Sequence, residues 1–169
     1  MKRRERGALS TTGTHDLPDT THRHTRGDDH ACYSPPMALE QRPQEPAIRM
    51  AMMPSDTNVH GTIFGGVILS QIDQAGAIAA RTYAPERVVT VCMREVEFHK
   101  PVYVGDIVSY YAWVTEVGNT SVTIRVEVVA ERFRPTGVKV TVTDAEVVYV
   151  SVDDHWEKVP MRRPGNNDA

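Results

Sequence analysis

The chain has few cysteines, little net charge and no long apolar run, and each shortage excludes a class of protein. Its 169 residues include two cysteines, Cys32 and Cys92, which are too few for a disulfide framework. A net charge of −3 gives no general attraction for nucleic acid. No apolar stretch is long enough to span a bilayer, and no apolar segment follows the basic residues 1–6 as a secretory signal would require. We therefore expect a cytoplasmic protein without a nucleic-acid or membrane partner.

The chain begins with a segment of unusual composition. Residues 1–46 are poor in aliphatic side chains and rich in Thr, His, Asp, Arg and Pro. Such a segment buries too little apolar surface to offset its ordering entropy, so we predict a disordered tail. The loose spacing of His22, His24 and His30 favours a solvated tail over a metal site.

The remaining residues are predicted to form one domain. Hydrophobic residues make up 40% of the chain, which is enough for a globular core. We place the domain at residues 47–160 and expect the polar residues 161–169 to fray.

A long helix is predicted near the start of this domain. Residues 48–53 form a short strand that ends at Pro54. After a loop, an almost wholly apolar segment predicts a helix over residues 65–83. The helix ends before Pro85, because a residue that precedes proline rarely adopts helical angles.

Strands account for the rest of the domain. Gly118 and Asn119 predict a tight hairpin turn. In the last strand the apolar residues change phase after Val142, which predicts a bulge or burial on both faces. Alternation of apolar and polar residues places strands at residues 87–98, 106–117, 120–132 and 138–150. Together these elements predict an α+β domain in which an antiparallel sheet of about five strands wraps around one central helix.

The predicted helix carries a lone carboxylate, Asp73. A carboxylate in an apolar helix costs free energy unless something uses it. Gly65 and Gly66 open the helix, where backbone N–H groups lack helical partners and no side chain stands in front of them. Because Asp73 follows Gly66 by about two turns, the two share a face and lie about 10 Å apart along the axis. We expect an oxyanion donor and a carboxylate to face one cavity, as acyl transfer requires.

Simpler roles exist for the same residues. Asp73 could lie on a solvated face or in a buried hydrogen bond, and the glycine pair could serve a tight turn or close packing of the helix on the sheet. The residue types alone do not decide between these roles and catalysis.

A series of short motifs resembles hotdog-fold acyl-CoA thioesterases, in particular the YciA-like branch that is related to the cytosolic acyl-CoA hydrolases. The likeness covers roughly residues 47–160 and keeps the motifs in the same order. They are PSDTN at 54–58, Gly61, FGG at 64–66, ID at 72–73, RVVTV at 87–91, FHKP at 98–101, VGD at 104–106, VGNTS at 117–121 and YV at 149–150. The resemblance implies a hotdog fold.

The resemblance also implies roles for particular residues. Asp73 would be the essential carboxylate, acting as a general base or a nucleophile. The amide of Gly66, with Gly65 beside it, would bind the thioester oxygen and stabilise the oxyanion. Asn58 would reach the partner protomer's site, although residues 56–58 also suit an ordinary Asx-turn. His60 lacks the spacing of the hydratase branch, so we expect it near the site without a direct role.

Coenzyme A would need a second set of contacts. The turn formed by Gly118, Asn119, Thr120 and Ser121 offers backbone N–H groups and hydroxyls, and similar enzymes place this turn beside the coenzyme A arm. Asn119 stands where those enzymes often have Arg, which weakens a charge-assisted phosphate contact. Lys139, Arg132 and Arg134 could supply cations instead, although the strand-end position of each favours a solvated charge, and we include Lys139 in the predicted site.

From these residues we predict an acyl-CoA thioesterase that needs no metal and no redox cofactor. Hotdog domains protect their edge strand by dimerising, and the resembled branch assembles further, so we expect a dimer or a hexamer made as a trimer of dimers. The acyl chain would follow the helix, with Leu69, Ile72 and Gly76 setting its length. Two alternatives are a hotdog dehydratase or hydratase, which would require His60, and a non-catalytic acyl-CoA sensor, which would not require Asp73.

Overall fold

The computed structural model describes residues 41–162, and these form one antiparallel sheet and one long helix. The order in the sheet is β1-β3-β4-β5-β2, so β1 and β2 are its two edges. The elements are β1 (Ile48–Ala51), α1 (Gly65–Ala80), β2 (Arg87–Phe98), β3 (Ile107–Val117), β4 (Ser121–Glu131) and β5 (Lys139–Val152), with 3₁₀ turns at Pro54–Asp56 and Arg81–Tyr83. The predicted α+β architecture of five strands and one helix is confirmed.

The helix is shorter than predicted. It ends at Ala80, and Arg81–Tyr83 continue as a tighter 3₁₀ turn before Pro85. One face of α1 is buried against the sheet at intervals of three and four residues: Ile68, Ile72, Ala75, Gly76 and Ala80. The apolar pattern therefore predicts the packing face correctly, while the last turn tightens.

The core lies between α1 and the inner face of the sheet. Along β4 the residues Val122, Ile124, Val126 and Val128 are at most 1% exposed. Arg125 and Glu127 alternate with them and lie on the other face, as period-two alternation requires.

Two predicted irregularities are present. Gly118 and Ser121 close the hairpin between β3 and β4, with the Gly118 N–H donating to the Ser121 carbonyl at 2.8 Å. In β5 the register shifts because Thr143 and Thr141 pair with the adjacent residues Val128 and Val129. Val142 is the extra residue, so the change of phase in the sequence marks a β-bulge.

The ends of the described segment contact the domain. Arg42 pairs with Glu127 and stacks at 3.8 Å over the ring of Tyr111, so residues 41–46 of the predicted tail include a sheet contact. At the other end the Met161 N–H donates to the Asn119 carbonyl at 2.7 Å. The predictions for residues 1–40 and 163–169 lie outside the described residues. No helix in residues 41–162 has the length and hydropathy that crossing a bilayer requires.

Candidate active site

Asp73 lies on α1 where two strands meet beneath the helix. The Thr90 hydroxyl on β2 donates to Asp73 Oδ1 at 2.5 Å, and the Tyr149 hydroxyl on β5 donates to the main-chain oxygen of Asp73 at 2.7 Å. Thr90 and Tyr149 are direct cross-strand partners. Asp73 is half-buried, and one strand pair holds both its side chain and its main chain.

The amino-terminal end of α1 is open by comparison. Phe64 precedes the helix and has no side-chain capping bond, while its own N–H donates to the Asp56 carbonyl at 2.8 Å. In residues 41–162 the N–H groups of Gly65 and Gly66 donate to no acceptor. These amides stand at the positive end of the helix dipole and can bind a carbonyl oxygen that becomes negative.

A cavity of about 190 Å³ lies beside Gly65. Its wall is mostly apolar, with two basic side chains at His99 and Lys100, and is lined by Ile63, Gly65, Ile68, Phe98, His99, Lys100, Pro101 and Val102. Asp73 is absent from this lining, so this cavity contains only the amide part of the predicted site. Within one protomer the two groups remain about 10 Å apart along the helix axis.

Asn58 forms the Asx-turn that its sequence context also predicts. Its Oδ1 accepts the His60 N–H at 2.8 Å and the Thr62 N–H at 3.3 Å, and its Nδ2 donates to Thr62 Oγ1 at 2.9 Å. The side chain thus shapes the loop that precedes α1. His60 is exposed, and its ring makes no hydrogen bond within residues 41–162.

The structure separates the residues predicted to hold coenzyme A. The 118–121 turn lies at the end of β4 near Asp73, because Val122 pairs with Tyr149, which contacts Asp73. Lys139 pairs with Glu131 at the other end of β4, roughly 30 Å away along the strand in one protomer. Within the turn, the Gly118 N–H is already used by the Ser121 carbonyl.

The other predicted cations differ in their freedom. Arg132 is engaged by Asp106, whose Oδ2 lies 2.5 Å from Nη1, and is almost buried. Arg134 is exposed beside the Phe133 ring. Of these two, only Arg134 has a guanidinium open to solvent.

Two of the three residues expected to set acyl-chain length lie in the core. Ile72 is fully buried, and the open side of Gly76 is filled by the Tyr149 hydroxyl. Leu69 is half-buried at the margin of the core.

One group of described side chains is close enough to share a metal ion: Glu97, His99 and Asp144. His99 Nε2 lies 3.2 Å from Asp144 Oδ2, but Arg125 Nη2 lies 3.1 Å from the other oxygen of the same carboxylate. The guanidinium already neutralises Asp144, and the Glu97 side chain is 71% exposed. These contacts favour a surface ion-pair network. The tail residues His22, His24 and His30 lie outside the described residues.

Thr90 and Tyr149 are the site residues that the sequence did not single out. Thr90 lies inside the RVVTV motif and Tyr149 inside YV, but neither motif shows which strand residues face Asp73. Only the register of β2 on β5 shows that Thr90 and Tyr149 are cross-strand partners.

Comparisons with known proteins agree with this architecture. The Thioesterase superfamily profile matches residues 60–134. Acyl-CoA thioester hydrolase YciA of Salmonella typhimurium is 40% identical over 126 residues, which make up 73% of this chain and 95% of that protein.

Solved structures give the same result. A hexameric hotdog fold thioesterase of Campylobacter jejuni is 53% identical with a TM-score of 0.66, over 69% of this chain and 90% of that one. A hexameric thioesterase of Yersinia pestis is 39% identical with a TM-score of 0.67, over 75% of this chain and all of that one.

Proposed function

The chain belongs to the family of hotdog-fold acyl-CoA thioester hydrolases, and from this membership we propose that it hydrolyses acyl-CoA to a carboxylic acid and coenzyme A. The observation that carries the proposal is the half-buried Asp73 carboxylate on a helix whose two opening glycine amides meet no acceptor within residues 41–162. Related proteins named as acyl-CoA thioester hydrolases support the same activity.

The proposed reaction divides the work between the start of α1, where the glycine amides lie, and its middle, where Asp73 lies. The thioester oxygen binds the Gly66 amide, with Gly65 beside it, and gains negative charge when water attacks the carbonyl carbon. Thr90 holds Oδ1 of Asp73, so Oδ2 takes the proton of the attacking water. The C–S bond then breaks, and the departing thiolate receives a proton to give free coenzyme A.

A second protomer completes this site in our proposal. A Cβ placed on Gly65 would lie 3.5 Å from Phe98, at one end of β2, whereas Asp73 contacts Thr90 near the other end. If the edge strand β2 pairs antiparallel with its copy around a two-fold axis, the Phe98 end of one strand lies opposite the Thr90 end of the other. The glycine amides of one protomer then approach Asp73 of its partner.

Features of β2 support this pairing. It is an edge strand of the sheet, and Val91 and Phe98 on it are 56% and 53% exposed. An unpaired apolar edge favours association with another strand. The hexameric state of the Campylobacter and Yersinia structures supports a hexamer built from such dimers.

The apolar cavity beside Gly65 suits the acyl portion of the substrate. Ile63, Ile68 and Val102 give it a hydrocarbon wall next to the proposed oxyanion donor. The proposed chemistry uses a carboxylate, an amide and water, and so calls for no metal or redox cofactor. Few cysteines and a net charge of −3 support a cytoplasmic enzyme without nucleic-acid or membrane partners.

Release of free thiol from a panel of short, long and branched acyl-CoAs tests the function. We expect turnover by the wild type and a loss of about 10²–10⁴-fold in kcat for Asp73→Asn, which keeps the shape and removes the base. A thiol reagent needs a correction for Cys32 and Cys92. No turnover on any thioester would refute the proposal. Hydration of enoyl-CoA that depends on His60 would instead establish a hydratase, and saturable binding without turnover a sensor.

A further inference from the structure

Tyr149 crosses the interface between the sheet and α1 at the level of Asp73. Its side chain is fully buried, and its hydroxyl reaches the main-chain oxygen of Asp73 at 2.7 Å. In a regular helix that oxygen already accepts the N–H four residues later, so the phenol is a second donor. The bond ties one turn of α1 to a residue of β5 that is 76 positions away in the chain.

Gly76 makes room for this contact. A Cβ on Gly76 would overlap the Tyr149 hydroxyl and would lie 3.0 Å from two ring carbons of the same side chain. Glycine inside a helix is destabilising relative to alanine. Its presence in the middle of α1 is therefore explained by the approach of the tyrosine, which any larger residue would block.

The same strand pair holds the functional end of Asp73. Thr90 and Tyr149 are opposite each other on β2 and β5, and the first binds the carboxylate while the second binds the carbonyl of one residue. If only its side-chain oxygen were held, the Asp73 carboxylate could still shift whenever the helix backbone shifts. The second anchor fixes the backbone from which the side chain projects.

We propose that Tyr149, with the space left by Gly76, is a positioning residue that sets the depth and rotation of Asp73 for thioester hydrolysis. This inference rests on the proposed role of Asp73 in the reaction. A displacement of about 1 Å in a catalytic group can cost up to about 10²-fold in rate, so a single buried anchor is enough to matter.

The phenol is suited to a constant structural bond. Burial raises the pKa of Tyr149 well above its usual value, and the nearby Asp73 carboxylate raises it further. The hydroxyl therefore remains a neutral donor throughout the working range of an enzyme near neutral pH. Positioning by Tyr149 should not itself add a step to the pH–rate profile.

Tyr149→Phe removes the hydroxyl and keeps the ring. We expect kcat for a short acyl-CoA to fall about 10-fold, the equivalent of one hydrogen bond of about 1.4 kcal/mol, with KM within about twofold of wild type. Because a loss of folded enzyme would also lower apparent kcat without changing KM, sizing and thermal melting must show that the variant is folded and assembled before the fall is assigned to positioning.

Tyr110→Phe is the matched control. Tyr110 is also fully buried, and its hydroxyl has no hydrogen-bond partner within residues 41–162. Removal of that hydroxyl should leave both kcat and KM unchanged. An equal fall in kcat for both variants would overturn the proposal, because any buried phenol would then have the same effect.

Gly76→Ala displaces the same hydroxyl by a different route. We expect it to lower kcat at least as much as Tyr149→Phe, and we expect the double variant to resemble the worse single variant. A double variant whose loss equals the product of the two single losses would contradict a shared contact. Should Tyr149→Phe fail to assemble, an unchanged kcat in Gly76→Ala would overturn the proposal.

Asp73→Asn separates failure of this inference from failure of the proposed function. If Asp73→Asn is inactive and Tyr149→Phe has the kcat of wild type, the positioning role is wrong and the hydrolase mechanism stands. If Asp73→Asn retains full turnover, the proposed role of Asp73 is wrong, and the positioning role falls with it.

Discussion

Two parts of α1 differ in how completely one protomer satisfies them: the Asp73 carboxylate in the middle of the helix and the glycine amides at its start. Asp73 is held at its carboxylate by Thr90 and at its carbonyl by Tyr149, whereas the Gly65 and Gly66 amides have no acceptor within residues 41–162. Unsatisfied amides at a helix start normally receive a capping side chain, but Phe64 supplies none.

This contrast has a physical meaning. A group that must keep one geometry through a reaction gains from contacts fixed on folding, whereas a group that must receive substrate has to remain unoccupied. The contacts of Asp73 in the middle of α1 suit the first requirement, and the free amides at the start of the helix suit the second. Substitutions at both places should therefore change kcat by more than their effects on stability explain.

Gly66→Ala should produce the largest effect at the amide end. A Cβ at this position would overlap the Phe64 ring, which must then move in the space around the amide. We expect kcat to fall by about 10²-fold, the scale of losing one oxyanion donor. Thermal melting should show no loss of stability beyond the displacement of Phe64, since alanine is the better helix former.

Gly65→Ala serves as the comparison. Its Cβ would lie 3.5 Å from the Phe98 ring, an ordinary van der Waals contact. The loss of kcat should be clearly smaller than for Gly66→Ala. Equal losses in the two variants would mean that general disturbance of the turn, and not the Gly66 amide, limits the rate.

Mixing two inactive variants tests whether the glycine amides and the Asp73 carboxylate of one site come from different protomers. When Asp73→Asn and Gly66→Ala chains are refolded together, half of the dimers are mixed, and each mixed dimer holds one complete site out of two. We expect about a quarter of wild-type activity to return if the site spans a two-fold interface. Activity that stays at the level of the separate variants would place both groups of a site in one protomer.

The sequence predicted most of the fold because the signals are local. Alternating residues such as Val122 and Ile124 identify strands, and Gly118 with Asn119 identifies the hairpin between them. Even the bulge at Val142 leaves a mark, because an extra residue reverses the alternation.

The candidate site was only partly predictable because its contacts are not local. A lone carboxylate in an apolar helix draws attention to Asp73, but Thr90 and Tyr149 reach it from 17 and 76 positions away. The register shift between Thr90 and Cys92 helps determine which residues of β2 and β5 oppose each other. No residue type in the sequence predicts this shift.

Lys139 shows a different limit, and its role in binding coenzyme A stays a prediction. Residue chemistry suggests it for phosphate together with the 118–121 turn, but residue chemistry does not say where each lies in the sheet. Antiparallel pairing of β4 with β5 places Lys139 at the end of the sheet away from that turn. The lengths and order of the predicted strands already imply that Lys139 and the 118–121 turn lie at opposite ends of the strand pair.

Thr90→Val should produce the smallest of these effects, because it removes one hydroxyl and preserves the branched shape. Loss of the donor to Asp73 Oδ1 should lower kcat about 10-fold, since a hydrogen bond to a charged group contributes about 1.5–3 kcal/mol and water can replace part of it. Thr143→Val is the matched control: Thr143 is fully buried, and its hydroxyl has no partner within residues 41–162. Its substitution should leave kcat unchanged and raise the melting temperature. Both variants would be compared by steady-state kinetics and melting curves. A wild-type kcat in Thr90→Val would refute the proposal that Thr90 anchors the Asp73 carboxylate.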